Sequence, residues 1–124
     1  MNLPELVRGL AADFAQRAAA HDRDASFPFE NFADLHASGL LNLAAPVALG
    51  GQGATLVQLS DVIGTIGRGD PATGLVLIMQ FTQHRGLGRQ GNRWPRELAQ
   101  KVVRDAVGKG ALINALRVEP ELGS

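Results

Sequence analysis

The sequence predicts an all-α fold, a helical bundle of about five helices with one β-strand at its C-terminal end. Three observations predict it. Apolar residues recur at helical spacing through most of the 124 residues, as they do in helices that bury one face. Prolines and capping residues stand ahead of those stretches and glycines behind them, the order in which helices start and stop. Only residues 111–118 alternate in the way a strand does.

The first helix carries Leu3, Leu6, Val7, Leu10 and Phe14 in one register, with Arg8, Asp13 and Arg17 on other faces and Pro4 in the first turn. About four turns are expected, fading through Ala18, Ala19, Ala20 and His21 into a polar loop over residues 21–26. Pro28 opens a second helix, with Phe29, Phe32, Ala33 and Leu35 as its apolar side and Gly39 as its stop. Residues 40–43 read as a short extended or turn piece ahead of Pro46, and Gly50-Gly51-Gln52-Gly53 as a loop. Thr55 caps a third helix whose stripe is Leu56, Leu59, Val62, Ile63 and Ile66.

Asp70-Pro71 supplies the N-cap and first-turn proline of a fourth helix. Its residues 75–79 are apolar on every side, which marks a buried central helix or a buried strand; the Asp-Pro start and the length to Gly86 favour helix. A loop rich in Gly and Arg covers residues 86–93. Pro95 starts the fifth helix, with Leu98, Val102, Val103 and Ala106 inward and Gly108 closing it. The organisation is thus a helical domain over residues 1–110, then the first strand and turn of a β-domain over residues 111–124. A lone strand leaves backbone groups without partners. Those partners are expected beyond Ser124 or in another chain, so the sequence reads as the front part of a larger protein.

Composition narrows the function. Hydrophobic residues make up 45% of the chain, enough for a core, and aromatic residues only 5%. Twelve basic against twelve acidic residues give no net charge, which argues against bulk binding to nucleic acid. The absence of cysteine rules out a disulfide framework, a thiolate nucleophile and a cysteine metal site. The N-terminus shows no basic patch ahead of an apolar core, so no signal peptide is read, and no apolar run is long enough to span a membrane. A soluble, cytoplasmic protein with no membrane partner is expected.

Candidate chemistry is sparse ahead of the C-terminal run. Gly86-Leu87-Gly88-Arg89-Gln90-Gly91 matches the G-x-G-x-x-G dinucleotide fingerprint, but Thr82-Gln83-His84-Arg85 intervenes after residues 75–81, and Asn92-Arg93-Trp94-Pro95 interrupts helix growth afterwards. An interhelical loop is the better reading. Gly67-Arg68-Gly69-Asp70-Pro71-Ala72 fits the looser form after a helical segment and is weaker still. Arg85, Arg89, Arg93 and Arg96 form a basic cluster suited either to an anion or to simple solvation. His21 and His36 read as surface residues. His84, at the end of the buried fourth helix, could face a cavity. No metal-ligand set and no pair of carboxylates for acid–base work is apparent. By contrast, the closing run Glu119-Pro120-Glu121-Leu122-Gly123-Ser124 is a turn at a strand mouth, exposing backbone N–H groups suited to a flavin or a phosphate.

The ordered set of signals resembles the acyl-CoA dehydrogenase family. It comprises the Phe27-Pro28-Phe29 helix start, the Ser38-Gly39-Leu40-Leu41 stop, the loop from Pro46 through Gly53, the Asp70-Pro71 start, and the Pro95 helix ending at Gly108-Lys109-Gly110. The terminal Glu-Pro-x-x-Gly-Ser run is similar to the family's segment at the entry of its middle β-domain. The resemblance implies that Ala115, Leu116, Arg117, Val118, Glu119, Pro120, Gly123 and Ser124 lie along FAD, mostly through backbone contacts, with Ser124 also near the thioester substrate. It also implies α,β-dehydrogenation of an acyl-CoA, a wall of the acyl pocket built from the fourth helix around residues 77–84, and a homotetramer. The carboxylate base of the family belongs to a later domain, so no catalytic residue is assigned within the chain.

One departure matters. The family usually places Thr directly before the Glu-Pro pair, and Val118 stands there in this chain. The flavin-dependent monooxygenases of the same fold therefore stay open as a second reading, with FMN as cofactor and His84 as a candidate near the flavin. Asn114-Ala115 ahead of the turn also resembles that branch. A third reading is a non-catalytic helical interaction module.

Overall fold

The computed structural model describes residues 2–115. Among them are five α-helices, α1 (Leu3–Asp24), α2 (Phe29–Ala37), α3 (Leu56–Gly69), α4 (Pro71–Gly86) and α5 (Arg96–Lys109), with short 3-10 turns at Leu40–Asn42 and Val47–Leu49. The all-α expectation holds. Residues 111–115, the described part of the expected strand, form no regular element, and the rest of it lies outside the described residues.

Local chemistry sets most of the helix ends. Asn2 caps α1 by accepting the Glu5 N–H at 3.0 Å. Thr55 and Gln58 form a reciprocal capping box at the start of α3, which satisfies two backbone donors that the helix itself leaves unpaired. Pro71 occupies the first turn of α4. Gly39, at φ 74°, turns the chain out of α2 and into the 3-10 turn where an extended or turn piece was expected. The fifth helix ends at Gly110 (φ 68°), two residues beyond the expected Gly108, because the left-handed cap conformation falls there.

The first helix is longer than its apolar stripe suggested. It runs 22 residues to Asp24 and stops at Ala25, which takes a left-handed conformation at φ 53°. Alanine costs least in a helix, so the Ala18-Ala19-Ala20 stretch extends it. The added turn is held by its own polar residues. His21 bonds Ser26 at 2.7 Å and also contacts Glu30, and Arg17 pairs with Asp34 at 3.1 Å.

Helix α1 packs on α3, and α3 on α4. The crossings are close because they are made on glycine. A Cβ at Gly69 would stand 2.2 Å from the Ala11 carbonyl oxygen, and one at Gly74 would stand 2.9 Å from the Gly67 Cα. Thus the glycines of the looser dinucleotide match lie at helix crossings. The main core joins Val7, Leu10 and Phe14 of α1 with Leu59, Val62 and Ile66 of α3 and Leu77 and Phe81 of α4; Phe32, Leu35, Leu40 and Leu41 complete it. A smaller cluster of Ala45, Leu87, Ala99 and Val103 seats α5.

Several residues expected inward face outward. Phe29, Leu56 and Leu98 are exposed. Helix α4 is not buried all round: Leu77 is sealed in the core, while Leu75 is 61% exposed and Ile78 and Met79 lie on the same open face.

Candidate functional site

The segment leaving α5 is the only described approach to the C-terminal run, and it is tied down on two sides. At the α5 end, Gly110 passes the His36 ring so closely that a Cβ would stand 2.9 Å from its Cγ. His36 Nε2 bonds the Val107 carbonyl at 2.8 Å. His36 is thus a half-buried tether between α2 and α5 rather than the surface residue expected. On the other side, Gln80 of α4, fully buried, donates through Nε2 to the Leu41 and Ala111 carbonyls at 3.2 Å each. Its Oε1 accepts the Ile113 N–H at 2.8 Å.

Held this way, Leu112, Ile113 and Asn114 lie against Leu75, Val76 and Met79 of α4, and a groove of about 340 Å³ runs between them. Ala115, half-buried, closes the described chain, its N–H donating to Asn114 Oδ1 at 2.8 Å. Of the candidate cofactor residues, Ala115 alone is described, and it follows Asn114, which lines the groove. Leu116, Arg117, Val118, Glu119, Pro120, Gly123 and Ser124 lie outside the described residues. Residues 77–84, expected as a wall of the acyl pocket, divide between a buried and an open face. Leu77 and His84 point into the core, and the open apolar side of α4 is formed by Leu75, Ile78 and Met79.

His84 lies inside the bundle and not along this groove. It is fully buried, and neither ring nitrogen has a hydrogen-bond partner among the described residues. Burial pushes its pKa down to about 4, because a low-dielectric surrounding disfavours the charged ring.

The basic cluster divides. Arg85 and Arg89 flank a shallow cleft with Ala44, Pro46 and Gly88, and none of Arg85, Arg89, Arg93 and Arg96 pairs with a carboxylate among the described residues. The G-x-G-x-x-G match spans the end of α4 and the turn after it, with a helix and not a strand in front, so the dinucleotide geometry is not formed. Among the described residues no group of His, Asp or Glu is placed to hold a metal ion, and no helix is long and apolar enough to cross a membrane.

The sequence reading missed a polar network that crosses the bundle. Asn31 of α2 is fully buried and accepts from Arg17 at 2.8 and 3.0 Å. It donates to Thr73 Oγ1 at 3.0 Å and to Asp70 Oδ2 at 3.3 Å, and Thr73 donates to Asp70 at 2.6 Å. Asp70 stands at the α4 N-cap, yet its side chain makes no capping bond; the carboxylate serves the network instead. No local spacing announces these partners, which lie up to 42 residues apart.

A flavin ring needs an apolar surface for its plane and backbone polar groups for its edge. The groove offers an apolar wall in Leu75, Val76 and Met79 beside backbone that belongs to no helix or sheet, so the described residues fit that requirement. Comparison with known proteins identifies the family. The family described as acyl-CoA dehydrogenase, N-terminal domain, matches residues 2–100. The chain belongs to the acyl-CoA dehydrogenase family. It is similar to "Probable acyl-CoA dehydrogenase fadE25" of Mycobacterium leprae, 34% identical over 95% of this chain and 30% of that protein. It is also similar to "Putative acyl-CoA dehydrogenase YdbM" of Bacillus subtilis, 30% identical over 97% of this chain and 31% of that protein. "L-evernosamine nitrososynthase" of a Micromonospora strain is 29% identical over 94% of this chain and 29% of its own length. The chain spans about a third of the length of these relatives.

Proposed function

We propose that this chain is the helical N-terminal region of an FAD-dependent oxidoreductase that dehydrogenates an acyl thioester such as an acyl-CoA between its α and β carbons. The observation that carries the reading is the tethered segment 111–115. It runs along the apolar face of α4 and leads straight into Val118-Glu119-Pro120 and Gly123-Ser124. When bound, the flavin supplies the hydride acceptor. The chain's own part is to hold and orient. Ala115, Leu116, Arg117, Val118, Glu119 and Pro120 would hold the cofactor through backbone groups, with Gly123 and Ser124, and Ser124 would also serve the substrate. Leu75, Ile78 and Met79 form an apolar wall that keeps water from the acyl chain. The α-proton goes to a carboxylate outside these residues, since no acid is among the residues that line the groove. The complete protein is expected to be a homo-oligomer, a tetramer by analogy with its family.

A second reading has an observation of its own. Two relatives are named nitrososynthases, and making a nitroso group from an amine requires added oxygen. With Val118 in place of the family's threonine, an enzyme that uses reduced flavin, FMN in that case, and oxygen is the alternative. One experiment separates the two. The complete protein is purified and titrated with FAD and FMN by visible absorbance, then mixed with acyl-CoA without oxygen. Bleaching of bound FAD by acyl-CoA supports dehydrogenation. Oxygen uptake that depends on reduced flavin, without such bleaching, supports the alternative. A complete protein that takes up neither flavin refutes both.

A further inference from the structure

A glutamine amide is short, polar and costly to bury unless its donors and acceptor are used. Gln80 is fully buried, and two of its three bonds go to one short segment. Nε2 donates to the Ala111 carbonyl and Oε1 accepts the Ile113 N–H. Those two groups flank Leu112. A residue in a parallel ladder bonds its neighbouring strand in the same way, accepting from one residue and donating to another two positions away. The side-chain amide of Gln80 therefore stands where a strand neighbour would. Its third bond, to the Leu41 carbonyl, fastens it to the turn beneath the core.

An extended segment is sensitive to register, because a slip of one residue turns every later side chain and backbone group to the opposite side. We infer that Gln80 is a positioning residue for flavin binding: by clamping Ala111 and Ile113 around Leu112 it sets the register of the segment 111–115 that precedes the C-terminal run. The inference rests on the flavin-binding function proposed above. Gln80 touches neither cofactor nor substrate in this account and acts only through the segment it holds.

The test uses the complete protein with three variants. Gln80→Met keeps the length and removes the donors and the acceptor. Gln80→Glu keeps an acceptor for the Ile113 N–H. Leu77→Ala, one turn earlier and fully buried, loosens the core without touching the segment. Two quantities are read, amide hydrogen exchange at Ile113 and the Kd for FAD with the absorbance band of the bound flavin. In Gln80→Met, Ile113 exchange is expected to rise about tenfold or more and the FAD Kd about tenfold, with a shifted band. Gln80→Glu should retain more Ile113 protection than Gln80→Met. Leu77→Ala should lower the melting temperature and leave Kd and band unchanged. Gln80→Met binding FAD like the wild type, or Leu77→Ala weakening it equally, overturns the positioning role. A wild type that takes up no flavin overturns the proposed function itself, so the two failures are distinct.

Discussion

His84 offers a quantitative check on the packing of this bundle. Among the described residues the ring is fully buried with both nitrogens unpartnered, and its pKa is lowered to about 4 from about 6.5 in an unfolded chain. Between those values the unfolded chain binds a proton that the folded one refuses. Stability from this group is therefore fully present above about pH 6.5 and is lost as the pH falls toward 4, with no further loss below that. The whole gap is worth ~3 kcal/mol, of which ~2.5 kcal/mol is lost between about pH 7 and about pH 4.5. For 124 residues, an unfolding entropy of ~2.1 cal/mol/K per residue converts this to ~9 °C in Tm. His84→Leu removes the titration and both unsatisfied nitrogens. At neutral pH the variant should match or exceed the wild type by ~1 kcal/mol, and its advantage should widen by ~2.5 kcal/mol on acidification. Urea or thermal unfolding of both proteins at a series of pH values measures this difference directly, and the titration of surface carboxylates cancels between them. A wild-type-minus-variant difference that stays flat from neutral to acid pH would falsify the account, since the imidazole would then have a partner or solvent that the structure does not show.

Two other substitutions test the crossings and the network. Gly69→Ala gains ~1 kcal/mol of helix propensity but sets a Cβ 2.2 Å from the Ala11 carbonyl; the clash wins, and a net loss of ~2 kcal/mol is expected in chemical denaturation, whereas a more stable variant would show that α1 and α3 are free to part. Asn31→Leu strips partners from Arg17, Asp70 and Thr73 together and leaves a carboxylate in a buried place, so a loss of ~3 kcal/mol is expected. A loss below ~1 kcal/mol in the same denaturation assay would mean that water replaces the amide.

Much of this molecule is written in local signals, and the rest is not. Thr55 with Gln58, Pro71 after Asp70 and Gly39 each announce a helix end, because capping and backbone restrictions act within one turn of chain. The buried stripes Val7-Leu10-Phe14 and Leu59-Val62-Ile66 follow from 3.6-residue periodicity in the same way. Family membership is legible for a related reason: the order of these punctuation marks over residues 2–100 is itself a sequence property.

Tertiary structure alone decided which apolar residues stay outside and where the polar ones find partners. Residues 75–79 are apolar on every side, so no periodicity could tell that Leu77 enters the core while Leu75 and Met79 line a groove. Asn31 meets Thr73 across 42 residues, and Gln80 meets Ile113 across 33. Such bonds form because an isolated buried amide is costly, yet neither residue's neighbours in the chain reveal what will lie opposite it. The helices were therefore determined by the sequence read a turn at a time. The aim of the segment that leads to the C-terminal run was determined only when α2, α4 and α5 came together around it.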